Sequence, residues 1–140
     1  MPLKKQGRVA QFLNVDLDVY SGSDLQPLVK SFGKKVIPLY VGRERRRYSA
    51  HLELAAYQKN ASADSTIRAF CSLIRALPKA ERELWNGAKT REFSIGVQAG
   101  KQPFACDFRI EAHTVKAVAE LGAVIVLTVY GSEMTKHRSI

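Results

Sequence analysis

Between residues 13 and 19 the chain reads Leu-Asn-Val-Asp-Leu-Asp-Val, apolar and polar side chains in strict alternation. Successive side chains of an extended strand point to opposite faces, so a period of two describes a strand buried on one side. Leu13, Val15, Leu17 and Val19 form the buried set, and Asn14, Asp16 and Asp18 the solvated one. Such a strand belongs to a sheet covered on one face only. What covers the apolar face, and what the polar face does, are the questions the rest of the chain must answer.

Helical signals supply the cover. In "SGSDLQPLVKSFGKK" Ser23 is an N-cap candidate for a short helix over residues 24–32, with Gly33 as its C′ residue. Ile67, Phe70, Cys71, Ile74 and Leu77 recur at helical spacing behind Asp64, which is placed to cap the main amphipathic helix. Pro78 ends it, and "PKAERELWNGA" forms a second short helix closing near Gly87, packed down by Leu84 and Trp85. "AHTVKAVAELGA" is a third short helix, ended by Gly122.

Further strands lie between the helices. Residues 36–41 are apolar, Gly42 and a charged run follow, and alternation resumes at Tyr48, Ala50, Leu52 and Leu54, a hairpin whose first strand Pro38 keeps short or at an edge. "QKNASADS" reads as a loop. "REFSIGVQAG" and "PFACDFRIE" read as an antiparallel hairpin, with Phe93, Ile95, Val97, Phe104, Cys106, Phe108 and Ile110 inward. The closing "VIVLTVYG" is almost wholly apolar, which predicts a central strand. It echoes "DLDVYSG" without the acids, a likeness that a shared strand-end preference for tyrosine and glycine explains. The order strand, helix, hairpin, helices, hairpin, helix, strand predicts an α+β two-layer sandwich, a mainly antiparallel sheet with helices packed on one face. With 140 residues this is one domain, its core at about 9–131 and its tails basic through Lys4, Lys5, Arg8, Lys136 and Arg138.

Composition narrows the class. No apolar run approaches the roughly 20 residues of a membrane span, and the start lacks a secretory signal, so the expectation is a cytosolic protein without a membrane partner. Cys71 and Cys106 lie in apolar surroundings without a metal-ligand spacing, and are expected to be buried free thiols. The formal charge of +9 attracts polyanions. Phosphate loops of the GxxxxGK[ST] and GxGxxG kinds, the GxSxG elbow and HExxH are all absent, and His51 is the one histidine in regular structure. No metal or cofactor is expected, and a hydrolase triad is disfavoured.

Three groups of polar residues stand out. Asp16 and Asp18 face the same way as Asn14 and Tyr20, about 7 Å apart, a spacing suited to acid–base work or a divalent ion. The alternation that reveals the strand also expects them simply to be its wet side, and that is the reading taken. On the partner strand Arg47, Ser49, His51 and Glu53 share a face; were the strands neighbours, aspartate and arginine would pair across the sheet, or His51 would serve as a base oriented by Asp16. Arg43, Arg45, Arg46 and Arg47 crowd the hairpin, where guanidinium forks grip phosphate or carboxylate and Tyr40, Tyr48 and Tyr57 add stacking surface. A charged tip is equally the ordinary means of solvating a loop.

The second half, "ADSTIRAFCSLI", "REFSIGVQAG" and "FRIEAHTVKAVAELGAVIVLTVYG", resembles a family of small bacterial domains of unknown function. In that family a helix of the "SPELLAALAALG" kind precedes a closing strand ending in "IYG". The likeness covers residues 12–131 and rests on core and turn residues. It implies a stand-alone cytosolic bacterial protein, some members being thought to act as immunity partners of toxins, and it transfers no catalytic residue. The basic balance here departs from immunity members, which are often acidic. The expectation is a non-enzymatic, immunity-like binding protein with a macromolecular partner. A nucleic-acid binder using the Arg43–Arg47 hairpin is the alternative, and an enzyme centred on Asp16, Asp18 and His51 a third.

Overall fold

The computed structural model describes residues 9–56, 61–101 and 105–131. Its elements are β1 (Gln11–Ser21), α1 (Gln26–Phe32), β2 (Val36–Glu44), β3 (Arg47–Leu54), α2 (Ala63–Arg75), α3 (Lys79–Asn86), β4 (Thr90–Gln98), α4 (Ala112–Glu120) and β5 (Val124–Tyr130). One five-stranded sheet runs in the order β2-β3-β1-β4-β5. Every pairing is antiparallel except β4 with β5. This is the α+β sandwich expected, with the acid-bearing strand β1 at its centre.

The alternation does what the sequence implies. Val15, Leu17, Val19, Ala50, Leu52, Phe93, Ile95 and Val97 meet Leu28, Phe32, Ile67, Phe70, Ile74, Trp85 and Val118 in one core. Each fully buried aliphatic side chain there contributes about 1.5–3 kcal/mol. Phe70 and Phe93 join helix to sheet with ring centroids 5.9 Å apart. At the start of β1 the β1/β4 register shifts between Phe12 and Asn14. This irregularity sends Phe12 toward the core and leaves Leu13 exposed, against the alternation expected there.

Helix ends are tied both by local caps and by more distant contacts. Ser62, and not Asp64, caps α2, exchanging hydrogen bonds with Ser65 in a capping box. Asp64 instead accepts from the Glu111 backbone N–H at 2.9 Å and from Arg68 Nε at 2.9 Å. Burial alone would raise its pKa, but the Glu111 N–H and Arg68 outweigh it and hold the carboxyl below its usual value. Ser23 does not cap α1; the N-cap position is Leu25, and Asp24 accepts from Gln26 N–H. Arg91 places Nη1 within 2.8–3.1 Å of the carbonyls of Trp85, Asn86 and Ala88, and donates from Nε to Gly122 O at 3.0 Å. Gly122 has φ +70, and a Cβ there would sit 2.9 Å from the Arg91 guanidinium, so the approach requires glycine.

Three expectations fail, all through the strand order. β4 has β1 on one side, and the α4 crossover lays β5 parallel on the other, so no ladder position remains for a hairpin partner. Residues 105–111 are therefore irregular, and Cys106 is exposed where a buried thiol was expected; Phe104 lies outside the described residues. β5 itself is an edge strand, exposed along its whole length, where its apolar sequence predicted a central one. Pro38 does stand on an edge strand, β2, beside a register shift.

Candidate functional site

β1 pairs with β3 so that Asp18 faces His51 directly and Tyr20 faces Ser49. Antiparallel partners share a sheet face, so the polar sides of both strands meet on the face opposite the core. His51 Nδ1 lies 2.8 Å from Asp18 Oδ1, and Ser94 Oγ of β4 donates to Asp18 Oδ2 at 2.8 Å. An ionised carboxylate only accepts, so Nδ1 carries the proton and Nε2 points away from Asp18. The alternative in which an aspartate orients His51 named Asp16; the structure puts Asp18 in that place.

Aromatic rings enclose the pair. Tyr20 meets His51 edge-on at 5.5 Å and Tyr40 lies at 6.3 Å. Arg47 stacks on Tyr20, its guanidinium carbon 3.8 Å from the ring centroid, in place of the cross-strand aspartate–arginine pair that was expected. The side chains of His51 and Asp18 keep only 25% and 18% of their exposure, so this pair is largely withdrawn from solvent. Burial, then the Asp18 carboxylate, raises the Tyr20 hydroxyl pKa.

Asp16 stands apart from the histidine. Asn14 Nδ2 bridges it at 3.1 Å to Glu53 at 3.2 Å. Burial first, then Glu53 and Asp18, raises its pKa to about 6. Ser94 donates to the oxygen of Asp18 that does not face His51, so the serine and the histidine are held by the two oxygens of one carboxylate. Among the described residues no group of three His, Cys, Asp or Glu could hold a metal ion.

The hairpin is a built structure. Arg45 turns it at φ 57, Glu44 accepts from the fully buried Ser49 hydroxyl at 2.6 Å, and Arg47 lies 3.9 Å from Glu44. The Tyr40 hydroxyl donates to Arg43 O at 2.7 Å across Gly42, where a Cβ would meet that hydroxyl at 3.0 Å. Arg43 lies over Tyr48 at 5.6 Å and donates to Arg45 O. Beside the turn runs an open groove of about 750 Å³ lined by Glu44, Arg45, Arg46, Arg47 and Lys89. Lys89 is held there by its own N–H, which donates to Tyr20 O at 2.8 Å.

The structure thus brings Asp18, Tyr20, His51 and Arg47 together, sets Asp16 one step away, and gathers Arg43, Arg45 and Arg46 at the tip. Tyr57 lies outside the described residues. Ser94 and Lys89 were not singled out from the sequence. Ser94 sits on the polar side of an alternating strand, a usable signal once its neighbour is known; Lys89 carries none. Comparison with protein-family models, with curated proteins and with solved structures returns no match to this chain.

Proposed function

We propose that this chain is a non-enzymatic binding protein that recognises an acidic protein surface through the groove beside the β2–β3 hairpin. The observation that carries the reading is the convergence of Lys89, 42 residues further along the chain than Arg47, on a groove already lined by Arg45, Arg46 and Arg47. Four cations against one acid focus positive potential on a single concave surface. Guanidinium forks match carboxylates bidentately, and stacking on Tyr20 pre-positions Arg47, which lowers the entropy lost on binding. The Asp18–His51 pair supports this surface by fixing Tyr20 beneath Arg47. An immunity-type role, which the sequence resemblance implies, would make the partner a toxin.

Nucleic acid is the second reading, favoured by the net charge of +9. It ranks lower because the rings that would stack bases are occupied: Arg47 covers Tyr20, Arg43 lies over Tyr48, and the Tyr40 hydroxyl is tied to Arg43 O. The test is capture of partners from lysate by the intact chain, with and without nuclease, against a variant with Arg45, Arg46, Arg47 and Lys89 changed to alanine. A protein retained after nuclease by the natural chain and lost by the variant supports the proposal. Retention that nuclease abolishes moves the assignment to nucleic acid, and equal retention by both chains refutes the groove.

A further inference from the structure

The two edges of the sheet are built differently. β2 carries Pro38, a register shift and the charged pair Arg43 and Glu44, features that discourage pairing with another strand. β5, Val-Ile-Val-Leu-Thr-Val-Tyr, has no proline, no bulge and no charge, and all seven of its residues are exposed. Its side chains are apolar on both faces: Ile125, Leu127 and Val129 continue the helix-side row of Phe93, Ile95 and Val97, while Val124, Val126 and Tyr130 continue the other. Apolar residues on both faces are the pattern of a strand with neighbours on both sides.

We propose that β5 pairs with β5 of a second copy, antiparallel about a two-fold axis at Leu127, to make a continuous ten-stranded sheet. The strand's sequence is self-complementary about that axis. Leu127 meets its own copy, Ile125 meets Val129, Val126 meets Thr128 and Val124 meets Tyr130, so apolar residues oppose one another in every pair but one and no charge opposes any other. Antiparallel partners share a face, so the helix-side apolar rows of the two copies join into one stripe. Local neutrality lets two chains of charge +9 approach here when they repel elsewhere. Six apolar side chains exposed by 36–60% present roughly 500 Å² per copy, about 1,000 Å² for two, which meets the lower bound of a specific interface when all of it is covered. Next to the strand an apolar hollow lined by Phe108, Ile125, Leu127 and Val129 continues the surface.

Sedimentation equilibrium of the full chain tests this. The expected mass is twice that of one chain, and Leu127→Lys, which sets like charges face to face on the axis, weakens association on the order of a hundredfold. Leu127→Thr, uncharged and suited to a strand, retains the dimer. The thermal midpoint of the dilute Leu127→Lys chain should match that of the dilute natural chain, since the side chain is 60% exposed in one copy. In a Cys106→Ser background Leu127→Cys should cross-link to its own copy under mild oxidation, because directly opposed Cα atoms lie about 5 Å apart, within disulfide reach; Val124→Cys, which faces Tyr130, should not. A monomer at about 100 μM overturns the proposal. So does a dimer that Leu127→Lys leaves intact, which places the interface elsewhere and leaves β5 to another occupant such as this chain's own residues beyond 131.

Discussion

β1 and β5 share a cadence, Leu-Asp-Val-Tyr against Leu-Thr-Val-Tyr, and end in opposite surroundings. β1 is half polar and lies at the centre of the sheet; β5 is nearly all apolar and lies at its edge. Composition would place them the other way round. The contrast teaches that alternation reports how many faces of a strand are covered, while position across the sheet is set by which strands pair along its two sides. β1 keeps one polar face because the helices cover only the other. β5 is at the edge because the α4 crossover lays it against the one side of β4 that β1 leaves open, and no described strand pairs with its outer side.

The sharpest way to break this comparison is to shorten matching leucines. Leu17→Ala removes a side chain with no exposure and should cost about 3 kcal/mol in denaturant unfolding. A cost below about 1 kcal/mol would mean that β1 is not the centre of the core. Next in size is Asp18→Ala, which leaves His51 Nδ1 and Ser94 Oγ without their acceptor. It should destabilise by about 1–2 kcal/mol, and a neutral result would show the polar row to be held by water alone.

A smaller effect should appear in the pH dependence. The Asp16 carboxyl has a folded pKa of about 6 against 3.8 ordinarily, so folding takes up a proton between those values. The resulting stabilisation is complete below the ordinary value and is lost as the pH rises through about 6. Denaturation midpoints should therefore fall from pH 4 toward pH 7, and Asp16→Asn should flatten that slope. A slope unchanged by the substitution would assign the titration to another group. The smallest effect is that of Leu127→Ala in the dilute chain, within about 0.5 kcal/mol, since most of the side chain is already in water. A loss like that of Leu17 would show β5 to be covered even in the monomer.

Much of the fold could be read from local pattern, because its causes are local. The period of two in β1 placed Leu17 and Val19, the spacing of Ile67, Phe70 and Ile74 placed α2, and Pro38 marked an edge. Features that depend on strand order were hidden. Residues 104–110 alternate like a strand, yet whether a slot exists beside β4 depends on β5, which comes later in the chain. The same holds for the site: Asp16 and Asp18 are equivalent in sequence, and only the β1/β3 register decides that His51 meets Asp18. Lys89 reaches the arginine groove through a hydrogen bond to Tyr20 that no periodicity announces.

Arg91 has a consequence for the order in which the molecule comes apart. Its guanidinium holds the last carbonyls of α3 and the turn after α4 together, while its backbone belongs to β4. Helix termini are where fraying begins, and here two of them share one fastening. Amide hydrogens in the last turns of α3 and α4 should therefore exchange in concert, and Arg91→Ala should separate their rates, loosening the route by which β5 reaches the sheet before the central strands feel any change.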